Sequence, residues 1–148
     1  MKLKNQRGFT LIEILIVVSI IGVLSSLTLL GLGSFRASGR DVKRVTDLRQ
    51  ITNALELYYA KVGEYPPTAG WKDKLLKDNG GVIDSVPTDP TNVAPYIYEY
   101  GVCPDSGYVV KATLEEQNAK ILAESYTGSD CDKSCSADVT QKEYCIKF

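Results

Sequence analysis

Residues 9–35 read Phe9-Thr10-Leu11-Ile12-Glu13 and then ILIVVSIIGVLSSLTLLGLGSF, and this stretch decides the fold of the 148-residue chain. From Ile14 to Phe35 there are 22 residues without a charge. As a helix rising 1.5 Å per residue they span about 33 Å, enough for the hydrocarbon core of a bilayer. Upstream, Met1–Gly8 carries Lys2, Lys4 and Arg7 and no acid. A basic leader before an apolar span predicts a cytoplasmic N-terminus and an exported C-terminal part. Arg36, Arg40, Lys43 and Arg44 follow the span, offset by Asp41 alone, and pull the other way.

Downstream, the helical pattern continues. Val42, Val45, Leu48, Ile51, Leu55, Tyr58 and Val62 recur at steps of three and four, one apolar face of an amphipathic helix, with Asp47, Arg49, Asn53 and Glu56 opposite. No proline precedes Pro66, so one helix is expected from Phe9 to Val62, roughly 80 Å long and too long for a compact domain of this size. Gly22, Gly31, Gly33 and Gly39 are where it bends most cheaply. Gly63-Glu64-Tyr65-Pro66-Pro67 ends it. A short helix over Trp71–Asn79, a turn-rich loop at Val86-Pro87-Thr88-Asp89-Pro90, and strands over Tyr96–Val102, Tyr108–Leu114 and Tyr144–Phe148 complete the reading. Tyr96, Tyr98 and Tyr100 fall on one strand face and are expected to pack on Leu48, Ile51 and Leu55. The fold class is therefore α+β: a long N-terminal helix packed on a small antiparallel sheet, with a disulfide-closed C-terminal region.

Composition bounds the chemistry. The net charge of −1 gives no reason to expect a nucleic-acid partner. There is no histidine, which excludes His-based acid–base catalysis and His-containing metal sites. No Gly-rich phosphate loop or nucleophile motif occurs either, so an enzyme is not expected. Cys103, Cys131, Cys135 and Cys145 all lie in the last third, an even set that suits an oxidising compartment reached by export. Of the three connectivities, Cys131–Cys135 with Cys103–Cys145 is favoured, the first pair being close in sequence and the second tying the terminal strand to the end of the first. Asp130 and Asp132, with Ser134 and Asp138, surround two of these cysteines as calcium candidates, although their spacing lacks the glycine and terminal glutamate of an EF-hand. A polar loop tied by a disulfide is the preferred account, and no cofactor is expected.

Arg7-Gly8-Phe9-Thr10-Leu11-Ile12-Glu13, behind a basic leader and opening a membrane-length helix, resembles the type III signal of type IV pilins and pseudopilins. The resemblance implies cleavage after Gly8 by a membrane-bound prepilin peptidase, methylation of the new N-terminus at Phe9, and Glu13 as fifth residue of the mature chain. Removing residues 1–8 takes away three basic side chains (17 − 3 = 14 against 18 acidic), leaving a net charge of −4. A carboxylate inside an apolar span is costly and needs a named partner. With no Lys or Arg on the helix before Arg36, Glu13 is expected to pair with the ammonium at Phe9 of a neighbouring subunit, fixing its axial register.

This similarity divides the chain into a leader (1–8), a transmembrane and assembly segment (9–35) and an extracytoplasmic globular domain (36–148). Its implied partners are further copies of the chain, the prepilin peptidase/methyltransferase, an inner-membrane assembly platform and the bilayer before assembly. Gly63-Glu64-Tyr65-Pro66, Val86-Pro87-Thr88-Asp89-Pro90 and Tyr96-Ile97-Tyr98 look like segments of the major pseudopilins of type II secretion. That group usually has an aromatic-glycine pair after Asp-Pro, where Thr91-Asn92 stands here, and its C-terminal calcium loop has no clear match. The cysteines look more like type IV pilins, which leaves pilus against secretion filament open. Arg36, Arg40 and Arg44 line one helix face and are read as meeting lipid headgroups before assembly. The alternative function is a membrane-anchored extracytoplasmic binding domain that does not polymerise, which has no need of Glu13.

Overall fold

The computed structural model describes residues 8–136 and 138–148; side chains of residues 27–32, 119 and 139 are outside that description. The expected leader, apart from Gly8, thus lies outside the described residues. Among the described residues no helix is long and apolar enough to cross a membrane; the expected span includes residues 27–32. The chain divides into two units, the second being Ala37–Phe148.

Helix α1 runs Leu11–Val62. It stops where Gly63 turns to φ +90°, a left-handed conformation open to glycine, and donates its N–H to Tyr59 O at 2.7 Å. The expected second helix is only half continuous. Trp71–Leu75 is helical (α2), Leu76 is extended at ψ 136°, and Lys77–Asn79 forms one 3₁₀ turn closed at Gly80. Three antiparallel strands follow, β1 (Glu99–Val102), β2 (Tyr108–Thr113) and β3 (Glu143–Lys147), in the spatial order β1-β2-β3. A short helix α3 (Ala119–Leu122) lies between β2 and β3.

Strand alternation gives the sheet two working faces. Tyr98, Tyr100, Tyr108, Val110, Ala112, Leu114 and Tyr144 pack on Leu48, Ile51, Ala54, Leu55 and Tyr58 of α1, all buried. The tyrosine expectation holds for Tyr98 and Tyr100, while Tyr96 is half-buried with its ring under Arg44, 4.6 Å from the guanidinium carbon. The ends of the helix stripe differ from expectation, since Val42 and Val62 remain exposed. So do two polar positions on the helix. Asp47 is buried and accepts the Tyr98 hydroxyl at 2.8 Å, and Glu56 Oε1 accepts both Tyr65 and Tyr108 hydroxyls at 3.0 and 2.9 Å. Desolvation, then the hydrogen bond to the carboxylate, pushes each of Tyr98, Tyr65 and Tyr108 up, Tyr65 to about 12.

The basic row is also corrected. Arg36 is exposed, but Arg44 has no solvent exposure and Arg40 is ion-paired with Glu115. Arg44 donates Nε to Asp89 Oδ2 at 2.6 Å and one terminal nitrogen to both Asp41 Oδ1 and Glu115 Oε1, each at 2.7 Å. Asp41 in turn accepts the Glu115 and Glu116 N–H groups, both at 2.9 Å. Asp89 accepts the Thr91 N–H at 2.8 Å and its hydroxyl at 2.7 Å. Asn92 sits at φ +50°, a left-handed conformation that asparagine tolerates better than most residues.

The disulfides are Cys103–Cys131 and Cys135–Cys145, not the favoured pairing. The reason lies in the strand order. Cys103 follows β1 and Cys145 is in β3, with β2 between them. Two strand spacings separate such positions by about 9–10 Å, beyond the Cα–Cα reach of a disulfide. Segment 131–135 instead crosses the outer sheet face, and both bridges surround buried Val109 in a second small core. Gly101 is glycine because a Cβ there would stand 2.8 Å from the Lys133 backbone nitrogen of this crossing segment.

Two measurements follow from this packing. Replacing Cys103 and Cys131 together by Ala opens a 28-residue loop and should cost roughly 3–4 kcal/mol, against roughly 2.5–3 for Cys135 with Cys145, whose separation is 10. Urea unfolding under oxidising conditions reads the difference, and equal costs would contradict the loop-length account. The second concerns acid. The Arg40 hydrogen bond holds Glu115 down at about 2; burial pushes Asp89 up, but the hydrogen bonds from Arg44, Thr91 and Asn92 together outweigh it and hold Asp89 at about 2. Both folded values are depressed, so their stabilisation is complete above the ordinary carboxylate range and is lost as pH falls from about 4.5 toward 2. Arg44→Met should cost roughly 3–5 kcal/mol at neutral pH by leaving buried carboxylates unpaired, and less at pH 3. A cost that does not shrink with acid would refute the charge account.

Candidate processing and assembly segment

Gly8 and Phe9 precede the helix and are exposed. Among the described residues no atom beyond its chain neighbours lies within 4 Å of where a Gly8 Cβ would stand. The described part of the chain therefore makes no demand for glycine at position 8. Any such demand comes from whatever reads the peptide.

Two residues on, Thr10 starts the helix. Glu13 Oε2 accepts both the Thr10 N–H and the Thr10 hydroxyl, each at 2.7 Å, while the Glu13 N–H donates back to Thr10 Oγ1 at 3.3 Å. This reciprocal capping box satisfies backbone donors that the first turn leaves orphaned. It corrects the expectation that Glu13 has no partner within its own chain, and the signal was present: Thr10-Leu11-Ile12-Glu13 is the S/T-x-x-E pattern before an apolar run. Only Oε2 is engaged; Oε1 of Glu13 accepts no hydrogen bond among the described residues.

Past the cap, Leu11, Ile12, Ile14, Leu15, Ile16, Val17 and Val18 are each at least half exposed. These positions cover every face of a 3.6-residue helix, so this is not a stripe awaiting one partner surface. An apolar surface wrapped all round a helix needs lipid or close-packed neighbours.

The calcium candidates do not converge. Asp130 takes the Tyr126 hydroxyl and Lys147 Nζ, the latter at 2.5 Å, whereas Asp132 Oδ2 accepts the Thr68 hydroxyl at 2.7 Å. The Lys147 and Tyr126 hydrogen bonds hold Asp130 down at about 2. Among the described residues no group of three or more His, Cys, Asp or Glu is placed to hold a metal ion.

Comparison with known proteins agrees with this segment. The family model described as the prokaryotic N-terminal methylation motif matches residues 3–29. The type II secretion system core protein G of Aeromonas hydrophila is 32% identical over 101 residues, covering 61% of this chain and 71% of that protein. Its counterpart in Klebsiella michiganensis is 37% identical over 101 residues, with the same coverage of 61% and 71%. That of Vibrio cholerae is 34% identical over 100 residues, covering 68% of this chain but only 61% of its own length. No solved structure matches the chain significantly.

Proposed function

Because the chain belongs to the family of the type II secretion system core protein G, we propose that it is a pseudopilin that polymerises into an extracytoplasmic filament after its leader is removed. The observation that carries the reading is the apolar surface on every face of the helix behind the Thr10–Glu13 cap. A folded domain cannot cover such a surface, while a bilayer can before assembly and neighbouring copies can afterwards.

On this reading a prepilin peptidase/methyltransferase cuts between Gly8 and Phe9 and methylates Phe9. The chain waits as a single-pass membrane protein with its N-terminus in the cytoplasm and residues 36–148 outside. An inner-membrane assembly platform then passes it into the filament. The function is structural, not enzymatic. Glu13 Oε2 is held by Thr10, and the free Oε1 is offered to the Phe9 ammonium of the neighbour. That pairing neutralises both charges where each alone is costly.

Intact-mass analysis of membrane-extracted protein should find a chain beginning at Phe9 and heavier by one methyl group. A full-length chain, or one cut elsewhere, would count against the motif. Assembly is tested separately, with Glu13→Gln and Thr10→Ala. Glutamine can still close the capping box but carries no charge. Glu13→Gln should therefore leave mature subunits in the membrane and cut sheared filaments at least tenfold. Thr10→Ala removes the cap, at roughly 1 kcal/mol, but keeps the charge, and filaments should persist. Abundant filaments from Glu13→Gln, seen by electron microscopy, would sink the ion pair.

A further inference from the structure

The cysteine spacing and the native pairing disagree about which bond forms first. In an unfolded chain loop closure falls off as the three-halves power of loop length. Cys131 and Cys135 are 4 apart, against separations of 28 for Cys103–Cys131 and 10 for Cys135–Cys145. Closure of the short loop is favoured roughly 20-fold over the first native pair and about 4-fold over the second. Once it closes, Cys103 and Cys145 are left as thiols on opposite sides of β2, where the sheet cannot join them.

The fold itself offers a way out. The Asp132 N–H donates to Val102 O at 2.9 Å, a backbone bond that sets Cys131 beside Cys103 in addition to the disulfide between them. The mutual pair between Gly128 and Cys135, at 3.1 and 2.8 Å, fixes the other end of the segment. Cys103, Cys135 and Cys145 then gather around Val109, with half-buried Cys131 against them.

We propose that Cys131–Cys135 is the first disulfide of this protein and that the folded sheet resolves it by internal thiol exchange, with no isomerase. In the first step the Cys131 and Cys135 thiols give two electrons and two protons to the disulfide of an extracytoplasmic thiol oxidase, which leaves as a dithiol. In the second, the Cys103 thiolate attacks Sγ of Cys131. The Cys103–Cys131 bond forms, the Cys131–Cys135 bond breaks, and Cys135 departs as thiolate with no net oxidation. In the third, a second oxidising disulfide takes two electrons and two protons from Cys135 and Cys145.

The test is refolding of the reduced full chain in glutathione buffer, quenched by alkylation at intervals and mapped by mass spectrometry. Cys131–Cys135 should dominate the one-disulfide species and then decay into Cys103–Cys131 in a step independent of protein concentration. Cys131→Ser should form Cys135–Cys145 directly, about 4-fold more slowly than the first bond of the parent chain. A Cys103→Ser/Cys145→Ser chain should keep Cys131–Cys135 as its final bond. The proposal is overturned if a native pair leads at every time point, or if Cys131–Cys135 persists until a disulfide isomerase is added. Four free thiols in protein taken from cells would refute the export placement instead, leaving the exchange chemistry to stand or fall on the refolding data.

Discussion

A guanidinium with no exposure to solvent has to be neutralised where it stands, and Arg44 meets that requirement with one acid of its own turn of α1 and two distant stretches of chain drawn onto it. Asp41 comes from the same helix, Asp89 from the loop that leads toward β1, and Glu115 from the segment that leaves β2. The β1–β2 hairpin is thereby pinned from its approach and from its exit. Asp41 adds a second grip, since its two oxygens take the Glu115 and Glu116 N–H groups. Buried ion pairs of this kind add little net stability relative to an apolar core, because desolvation offsets much of the attraction. Their demand is geometric: the charge is satisfied only where the three acceptors converge, a condition an apolar residue would not impose.

With the hairpin fixed in place, strand alternation determines everything else in the second unit. Even-numbered residues of β2 face α1 and build the main core, so Val109 and Lys111 face outward. An outward valine in a three-stranded sheet would normally be wet. Here the 131–135 segment covers it, tied to the end of β1 by one disulfide and to β3 by the other. Beside it Lys111 pairs with Glu99 and Glu143, at 3.4 and 3.1 Å, completing a charged row across all three strands. The covered face is thus half small core and half cross-strand ion pairs, which suits a segment too short to bring an apolar layer of its own.

The elements were legible where a single period dominates. The 3.6-residue repeat over 42–62 and the two-residue alternation at 96–102 and 108–114 mark helix and strands to within a few residues, β1 beginning three residues late at Glu99. Polar residues on the buried face were not. Asp47 and Glu56 interrupt the apolar stripe in sequence and read as solvent-facing, yet each is reached by tyrosine hydroxyls from elsewhere in the chain. Arg44 failed for the same reason: Asp41 is a local partner three positions away, but Asp89 and Glu115 lie 45 and 71 positions away and no local pattern announces them. Disulfide pairing failed differently. Sequence proximity favours Cys131–Cys135, but strand order decides which bonds can coexist, and strand order is a tertiary fact.

The Thr10–Glu13 cap was legible and still missed, because Glu13 was read only as a charge in an apolar run. Its two oxygens pose two different problems. A helix start leaves backbone donors without partners, and Oε2 answers that need within the chain. The charge is another matter, since hydrogen bonds from a hydroxyl and an amide disperse it without cancelling it, and at the edge of a hydrocarbon layer the uncancelled part is costly. A capped carboxylate is consequently tolerable in a lone subunit and better satisfied beside a cation. On the proposed reading, removal of the leader supplies one as the new ammonium on Phe9, four residues before Glu13. Within the first turn the Thr10 N–H and hydroxyl already occupy Oε2, so on the proposed reading the ammonium of a neighbouring copy is taken by Oε1. The proposed pairing between subunits asks only that a second acceptor remain on the carboxylate once the cap has taken the first.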